Sequence, residues 1–351
     1  MFGESDSARA LVSEEILDEL LRPMRDLRVS VTDRCNLRCT YCMPEAEYLW
    51  LDRSDLLSFE ELMQLIEAFT SVGVDKVRLT GGEPLLRRGL PDLVAAIASH
   101  GSITDLALTT NGVLLAQHAE PLHRAGLGRV TVSLDTLRRE RFKVLAQRDH
   151  LDQVLHGLRV AVEVGFEKTK VDTVVVRGSN DDELCDLLDL GRTLGIEVRF
   201  IEYMDVGGAT RWRPDLVVTA NEMIDRIRTR RGPVTPLPHD SAPARRYRMQ
   251  DGTIFGIVAS TSQPFCSSCN RSRLTADGMW FDCLYASAGV DLRTPLRDGA
   301  GGAELRRILT DAWQRRDAQG AVIRLESANR SAVPVSILRR DRHLEMHTRG
   351  G

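Results

Sequence analysis

Two kinds of segment follow one another along residues 27–204. In the short segments, apolar and polar residues alternate, and in the longer ones apolar residues recur at helical spacing. The short runs predict six β-strands, at Leu27–Thr32, Lys76–Thr80, Asp105–Thr109, Arg129–Leu134, Lys170–Val176 and Glu197–Ile201. The longer stretches predict helices near 59–72, 91–99, 113–125, 150–165 and 181–194. Strand–helix alternation at this spacing favours an α/β fold with a parallel sheet, which is either doubly wound or an incomplete (β/α)6 barrel of the TIM type.

Each predicted strand has one apolar face and one polar face. In the first, Leu27, Val29 and Val31 alternate with polar residues that begin at Arg28, and the other five strands repeat this pattern. Strands buried on both faces would be continuously apolar, and a complete barrel fills its interior with branched apolar side chains. The polar face therefore favours an open barrel that holds a charged ligand. An antiparallel sheet with one solvated face is the alternative.

A second region begins near residue 217. It contains a predicted helix at 220–231, strand-like runs within 245–262 and a further helix near 302–315. We therefore expect three parts: an acidic N-terminal arm (1–20), a partial barrel (21–216) and a C-terminal α+β region (217–351).

Composition narrows the class of protein. The chain has 351 residues and a formal net charge of −3, which does not suggest a protein that binds nucleic acid or a membrane surface. No apolar run is long enough to span a bilayer, and no signal peptide is apparent. Six of the seven cysteines form two tight groups, which suggests metal binding in a reducing compartment, with cytoplasm as the expected location. Cys185 stands apart in a predicted helix and is expected to be buried.

The first group, Cys35, Cys39 and Cys42, directly follows the first strand and supplies three thiolates. A four-iron cluster is normally held by four cysteines, so three leave one iron with an open position. The alternative is a structural zinc site, which needs four ligands, and neither a histidine nor a fourth cysteine lies near this loop.

The second group, Cys266, Cys269 and Cys283, again supplies three thiolates. It is followed by Arg271 and Arg273 at alternate positions, which is consistent with either an anion site or a solvated basic loop. Zinc or redox chemistry is the alternative use of such a cysteine pair.

The first triad, with Tyr41 before its last cysteine, resembles the motif of radical S-adenosylmethionine enzymes. The resemblance implies that the open iron is chelated by the amino and carboxylate groups of S-adenosylmethionine, whose reductive cleavage gives a 5′-deoxyadenosyl radical. Gly81–Pro84 matches the segment that meets the methionine amino group, where glycines permit close approach of the backbone and the Glu83 carboxylate could stabilise an ammonium. A second [4Fe–4S] cluster with a free iron would then bind the substrate.

Further segments narrow the resemblance to the GTP 3′,8-cyclase family, a group of lyases that act in the first step of molybdenum cofactor (molybdopterin) biosynthesis. The matching segments are Arg25–Cys35, Thr80–Leu85, Thr109–Gly112, Ser133–Asp135, Arg199–Asp205, Phe265–Leu274 and the terminal Gly350-Gly351. The resemblance implies GTP contacts at Arg28, Arg78, Thr109, Lys170, Arg271, Ser272 and Arg273. It implies S-adenosylmethionine contacts at Tyr41, Gly82, Ser133 and Met204, with Arg199 beside them.

The reaction that the resemblance implies is abstraction of hydrogen from ribose C3′ of GTP, followed by addition of the C3′ radical to guanine C8. The product is (8S)-3′,8-cyclo-7,8-dihydroguanosine 5′-triphosphate. Arg271, Arg273, Gly350 and Gly351 would assist catalysis, with the glycines reaching into the active site. Converging cations suit a triphosphate, and Arg28, Arg78 and Lys170 fall on the polar strand faces.

The implied partners are a one-electron reductant of the flavodoxin or ferredoxin type and the next pathway enzyme, cyclic pyranopterin monophosphate synthase. The chain itself is expected to be a monomer or homodimer. Two rival functions remain: a peptide-maturing radical enzyme with an auxiliary cluster, and a non-enzymatic iron–sulfur sensor or zinc module.

Overall fold

A computed structural model describes residues 15–45, 47–239 and 241–350. Most of the predicted N-terminal arm therefore lies outside the described residues. The first two thirds of the chain form six strands and six helices. These are β1 (Asp26–Ser30), α1 (Phe59–Ser71), β2 (Lys76–Thr80), α2 (Leu90–Ala98), β3 (Asp105–Thr110), α3 (Leu115–Arg124), β4 (Arg129–Ser133), α4 (Arg139–Ala146), α5 (Leu151–Val164), β5 (Lys170–Val175), α6 (Leu184–Leu194) and β6 (Glu197–Glu202).

The remainder of the chain is a mixture of helices and short strands. These are α7 (Ala220–Arg231), β7 (Val234–Pro236), β8 (Arg245–Met249), β9 (Ile254–Val258), β10 (Arg271–Leu274), β11 (Met279–Phe281), β12 (Val290–Asp291), α8 (Arg293–Arg297), α9 (Gly302–Gln314), α10 (Gly320–Glu326), α11 (Val335–Leu338) and α12 (Met346–Arg349).

All six predicted strands are confirmed to within two residues at each end, as are the predicted helices except α6, which begins three residues later than expected. Helix α4 was not predicted. Four of its eight residues are charged, and only Phe142, Leu145 and Ala146 are buried, so its sequence carries too short an apolar stripe to indicate a helix.

The strands form one sheet in the order β12-β11-β10-β1-β2-β3-β4-β5-β6-β9-β8-β7. Strands β1 to β6 are parallel and adjacent in chain order, which contradicts the antiparallel alternative. A doubly wound sheet reverses its strand order at a switch point, and this order does not reverse between β1 and β6. The protein therefore has an open α/β sheet wound in a single direction.

The C-terminal region extends this sheet at both edges rather than forming a sheet of its own. Strand β10 pairs in parallel with β1, and β9 pairs in parallel with β6. Helix α9 packs against α1, so the two regions share one hydrophobic core. The sheet is thus continuous across residue 216, and the proposed division there stays a prediction.

Helix α1 illustrates how the apolar strand faces are covered. It begins after Ser58, whose hydroxyl accepts a hydrogen bond from the Glu61 amide (3.2 Å), while the Glu61 carboxylate accepts one from the Ser58 amide (2.7 Å). Its inner face buries Leu65, Ile66 and Phe69 completely. Cys185 in α6 is also buried, as predicted. No helix within the described residues is long and apolar enough to cross a membrane.

Candidate active site

A cavity of about 550 Å³ lies against the polar faces of strands β1 to β6 and β10. Its lining takes alternate residues from each strand, such as Arg28 from β1, Arg78 from β2 and Lys170 from β5. The apolar residues between them, such as Val29 and Leu79, are buried against the helices. The polar strand faces therefore line one common cavity, and the charged ligand that we expect there stays a prediction.

The first thiol triad lies at the carboxyl end of β1. Cys35, Cys39 and Cys42 all line the cavity. Burial raises the pKa of the Cys35 thiol to about 11 and raises the pKa values of Cys39 and Cys42 as well. Such buried sulfurs become thiolates only beside positive charge, and metal ions supply that charge.

The donor set therefore suits an iron–sulfur cluster. Within the described residues, no three side chains of His, Cys, Asp or Glu converge closely enough to hold one metal ion. A [4Fe–4S] cluster does not require such convergence, because each cysteine binds a different iron. The residues present thus fit a cluster whose ligands are spread around one end of the cavity.

The second triad lies at the opposite end. Cys266 and Cys269 precede β10, which runs parallel to β1 with Arg271 beside Asp26, so they lie at the amino end of these strands. At a rise of about 3.3 Å per residue, the four steps from Asp26 to Ser30 separate the two ends by about 13 Å. Cys283 follows β11 and lines the same cavity.

The second triad differs electrostatically from the first. Burial alone would raise the pKa of the Cys269 thiol, but the guanidinium groups of Arg271 and Arg316 lower it to about 7. Arg271 donates a hydrogen bond to the Cys269 sulfur (3.4 Å) and stacks on the Phe265 ring, 4.7 Å from its centroid. Cys269 is therefore poised to supply a thiolate to a metal cluster.

The Gly81–Pro84 segment depends on its two glycines. Gly81 has φ of +155°, and a Cβ atom there would overlap the Thr32 carbonyl oxygen. A Cβ atom on Gly82 would overlap the Arg34 carbonyl, so these residues permit the close approach of two backbone segments. Gly82 lines the cavity close to the first triad.

Glu83 does not have the role that we expected for its carboxylate. The side chain is fully buried and is absent from the described cavity lining. Its oxygens accept hydrogen bonds from the Leu85 amide (3.0 Å), the Thr110 hydroxyl (2.7 Å) and the Asn111 amide (2.7 Å). Glu83 therefore joins the loops that follow β2 and β3, rather than facing an ammonium group.

The residues expected to contact S-adenosylmethionine all line the cavity: Tyr41, Gly82, Ser133, Met204 and Arg199. The Tyr41 hydroxyl donates to the Asp135 carboxylate (2.7 Å), and burial raises the pKa of Asp135 to about 6. Arg199 is held on its own strand by an ion pair with Glu197 (2.9 Å). Asp135 belongs to the Ser133–Asp135 segment, but its link to Tyr41 had no signal in the sequence.

The expected GTP-binding cations converge. Arg273, Arg28 and Arg78 are register partners on the adjacent strands β10, β1 and β2, so their side chains form one row across the cavity. Arg78 donates to the hydroxyls of Thr109 (3.2 Å) and Thr131 (3.3 Å).

Neighbouring cations lower the pKa values of this row and of Lys170 beside it. Burial, followed by the neighbouring cations Arg129 and Arg28, lowers the pKa of Arg78 to about 10. Burial and the Arg199 guanidinium lower the pKa of Lys170 to about 8. Burial together with Arg28 and Arg271 lowers the pKa of Arg273. Cations that disfavour one another in a buried site are stabilised by a polyanion.

The Ser272 side chain does not lie where we expected it. Its side chain is 1% exposed and pairs in register with Leu27, on the face of β10 opposite to Arg271 and Arg273. Its hydroxyl is absent from the described cavity lining, so the placement does not support a GTP contact through the Ser272 side chain. Alternation along a strand explains this, because successive residues point to opposite faces.

Several lining residues were not singled out from the sequence, although the alternation that identified Arg28 and Arg78 also applies to them. They are Asp26, Lys76, Asp105, Arg129, Thr131 and Asp172. Arg129 and Asp105 form an ion pair between β4 and β3 (2.5 Å), which neutralises one of the cations.

The C-terminal tail enters the cavity. The Gly350 carbonyl accepts a hydrogen bond from Arg273 (2.7 Å), and a Cβ atom on Gly350 would overlap the Thr80 hydroxyl. Gly350 has φ of +70°, which favours glycine. It thus lies between the arginine row and the first triad. Gly351 lies outside the described residues, so its predicted role stays a prediction.

Several polar contacts anchor this tail, and the sequence did not indicate them. Arg349 donates to the carbonyls of Leu284 and Ala286 (both 2.7 Å), directly after Cys283. His343 contacts the carboxylates of Asp277 (2.7 Å) and Asp341 (3.1 Å).

We predict that the anchoring of the tail weakens with rising pH. Although burial opposes it, Asp277 raises the pKa of His343 above its ordinary value of 6.5. A raised pKa means that the stabilisation is complete below pH 6.5 and is lost as the pH rises through the folded-state value. Amide hydrogen exchange over 341–350, corrected for its intrinsic pH dependence, should therefore accelerate above about pH 6.5.

His343→Gln should exchange rapidly at every pH, and His156→Gln, which changes an exposed histidine in α5, should behave like the unaltered protein. Equal protection of the tail from pH 6 to 9 in the unaltered protein would contradict this assignment.

Comparison with known proteins agrees with this site. Residues 29–191 match the Radical SAM superfamily, and residues 196–322 match the family described as Molybdenum Cofactor Synthesis C. The GTP 3′,8-cyclase 1 of Mycobacterium tuberculosis is 53% identical over 342 residues, which cover 96% of this chain and 95% of that protein. The GTP 3′,8-cyclase of Acidothermus cellulolyticus is 46% identical, covering 92% and 95%.

Among solved structures, Streptococcus suis SuiB bound to S-adenosylmethionine aligns with a TM-score of 0.61 at 15% identity, covering 91% of this chain and 75% of that one. This likeness supports the fold alone. The two family matches and the near-complete relatives, together with a cavity that carries a thiol triad at each end, show that the chain belongs to the GTP 3′,8-cyclase family of radical S-adenosylmethionine enzymes.

Proposed function

We propose that this chain converts GTP to (8S)-3′,8-cyclo-7,8-dihydroguanosine 5′-triphosphate with S-adenosylmethionine, the first step of molybdenum cofactor biosynthesis. The observation that carries the proposal is a single cavity with one thiol triad at each end and a row of buried arginines between them. That arrangement suits a substrate with a triphosphate, a reacting ribose and a base.

The open sheet acts as an incomplete barrel. Strands β1 to β6 supply the polar inner faces, and β9 and β10 continue the parallel sheet on either side. The carboxyl ends of the strands carry the first triad, as is usual for active sites of barrel folds. The C-terminal region carries the second triad to the other end.

Two [4Fe–4S] clusters and S-adenosylmethionine are the cofactors. Cys35, Cys39 and Cys42 would hold one cluster, and Cys266, Cys269 and Cys283 the other. When bound, these groups supply the reducing electron, the 5′-deoxyadenosyl radical and an open iron for the base. Tyr41, Gly82, Ser133 and Met204, which line the cavity, would contact the cosubstrate, with Arg199 beside it.

The protein's own contribution is to place the ribose between these groups. Arg28, Arg78 and Arg273 would bind the triphosphate, with Lys170 and Thr109 in the adjoining layer. Arg271, which contacts the Cys269 sulfur, would orient the base at the second triad. Accurate placement of the reacting carbon is worth orders of magnitude in rate, and the entering tail excludes water from the radical.

The two alternative functions, a peptide-maturing enzyme and a non-enzymatic sensor or zinc module, are less well supported. A peptide-maturing enzyme usually closes its auxiliary cluster with further cysteines, whereas the one remaining cysteine here, Cys185, is buried in α6 and does not line the cavity. A non-enzymatic sensor would not require the row of arginines.

The wider assignments follow from the proposed function. We place the enzyme in the cytoplasm as a monomer or homodimer. A flavodoxin- or ferredoxin-type reductant would supply electrons, and cyclic pyranopterin monophosphate synthase would receive the product.

The test is anaerobic turnover. Protein with both clusters reconstituted, supplied with GTP, S-adenosylmethionine and dithionite, should yield 5′-deoxyadenosine and a product that has the mass of GTP but a different retention time. ATP should give no such product. Absence of an isomeric product from GTP, with both clusters intact, would overturn the proposal.

A further inference from the structure

A second pocket, of about 570 Å³, shares no lining residue with the cavity described above. Its described lining includes no acidic residue and consists of Thr32, Arg34, Arg53, Leu56, Ser58, Leu86, Arg87 and Arg88. We call it the four-arginine pocket. In a chain with 50 acidic and 47 basic residues, four cations around one pocket without an acid is an uneven distribution of charge.

Two of these arginines form no ion pair with any residue that the structure describes. Arg53 and Arg88 are exposed and form no ion pair within the described ranges. Elsewhere on the surface, arginines are commonly paired, as in Arg139 with Asp149 (2.9 Å) and Arg307 with Glu304 (2.7 Å). Grouped like charges repel, so this arrangement is stabilised when an anionic surface binds.

The other two arginines are held in place. Arg87 donates to the Leu57 carbonyl (2.7 Å) and lies over the Phe59 ring, 5.2 Å from its centroid. Arg34 lies 5.0 Å from the centroid of the Trp50 ring and forms an ion pair with the buried Asp33 carboxylate (3.5 Å). A guanidinium already fixed by such contacts loses little conformational entropy when it binds a carboxylate.

The pocket also has an apolar element. Leu86 is 41% exposed and stands between the arginines of the pocket lining. An apolar centre with a charged rim is the usual anatomy of a transient protein–protein interface. A site built only for a small anion would not need an exposed leucine.

The pocket lies directly behind the first thiol triad. Arg34 immediately precedes Cys35, and its carbonyl accepts a hydrogen bond from the Glu83 amide (2.7 Å). The Thr32 carbonyl accepts one from the Gly82 amide (2.8 Å). The wall of the pocket and the ligand loop of the first cluster are therefore the same piece of backbone.

We propose that the four-arginine pocket is the docking surface for an acidic one-electron carrier protein, which delivers electrons to the cluster held by Cys35, Cys39 and Cys42. The proposal rests on the proposed function, because it is that cluster which must be reduced. In each encounter the carrier loses one electron and the cluster gains one, with no atom transferred. A fully reduced flavodoxin, which becomes its semiquinone, satisfies this balance.

The test compares a protein reductant with a small one. In Arg53→Glu/Arg88→Glu, turnover driven by reduced flavodoxin should fall about tenfold or more at low salt, because electrostatic steering is reversed. Turnover driven by dithionite should stay within about twofold of the unaltered enzyme, because a small reductant needs no docking surface. Direct titration of flavodoxin onto the holoenzyme should show a matching loss of affinity, independent of activity.

The matched control is Arg245→Glu/Arg248→Glu, which makes the same change of charge at exposed positions of β8 and should lose neither activity nor affinity. Equal losses in both double variants would indicate a general charge effect and overturn the proposal. So would equal losses with both reductants, or undiminished flavodoxin binding by Arg53→Glu/Arg88→Glu. Failure of the unaltered enzyme with dithionite would instead contradict the proposed function, while the binding titration would still decide the docking surface.

Discussion

Arg273→Ala should lower GTP cyclisation by about 10²- to 10³-fold while both clusters stay assembled, because it removes one cation of the row that lies between the two triads. Arg273 is 9% exposed, lies in register with Arg28 and donates to the tail at Gly350. The variant therefore loses both the proposed triphosphate contact and one of the hydrogen bonds that position the tail. Anaerobic turnover and iron content measure the two expectations separately.

The stability of the ligand-free protein distinguishes this role from a structural one. Burial and the neighbouring Arg28 and Arg271 lower the pKa of Arg273, so these effects oppose the hydrogen bonds that its guanidinium donates to the Arg349 and Gly350 carbonyls. Removing that charge should leave the melting temperature unchanged or raise it. Arg273→Lys should recover part of the activity, and Arg248→Ala on the surface should retain all of it. Full activity in Arg273→Ala would remove Arg273 from the substrate site.

The strands and their polar faces were predictable because their causes are local. Alternation in β1 and β2 is a property of five consecutive residues, and it placed Arg28 and Arg78 in the cavity correctly. Applied to β10, the same rule places the Ser272 side chain on the face that points away from the cavity. The sequence of β10 does not indicate a strand, because two of its four residues are arginines and its extended conformation depends on pairing with β1.

Features that depend on contacts between residues far apart in the chain could not be predicted from the sequence. Nothing local marks β10 as the parallel neighbour of β1, yet this pairing is what sends the two triads to opposite ends. The path of the tail depends on the close approach of Gly207 to the Leu344 backbone and on the Met346 amide, which donates to the Gly207 carbonyl (2.9 Å). The contacts of Glu83 are not predictable for the same reason, because two of its three hydrogen-bond donors, Thr110 and Asn111, lie at the end of another strand.

Replacing a single cysteine of the second triad should separate the functions of the two ends of the cavity. Cys283→Ser should lower the iron content from about eight to about four per chain, since each triad holds one four-iron cluster. It should abolish the cyclic product, because the base loses its site at the amino end of the strands. Reductive cleavage of S-adenosylmethionine should continue at a reduced, uncoupled rate, because Cys35, Cys39 and Cys42 lie at the other end.

Cys185→Ser provides the matched control, since Cys185 is buried in α6 away from the cavity lining and should not alter the iron content. Loss of both clusters in Cys283→Ser would mean that the triads do not assemble independently. Normal yields of cyclic product with only about four irons would mean that the second triad does not hold the base. Either result would contradict separate functions for the two ends of the cavity. General unfolding would not produce the expected combination, which is half the iron content with cleavage of S-adenosylmethionine but no cyclisation.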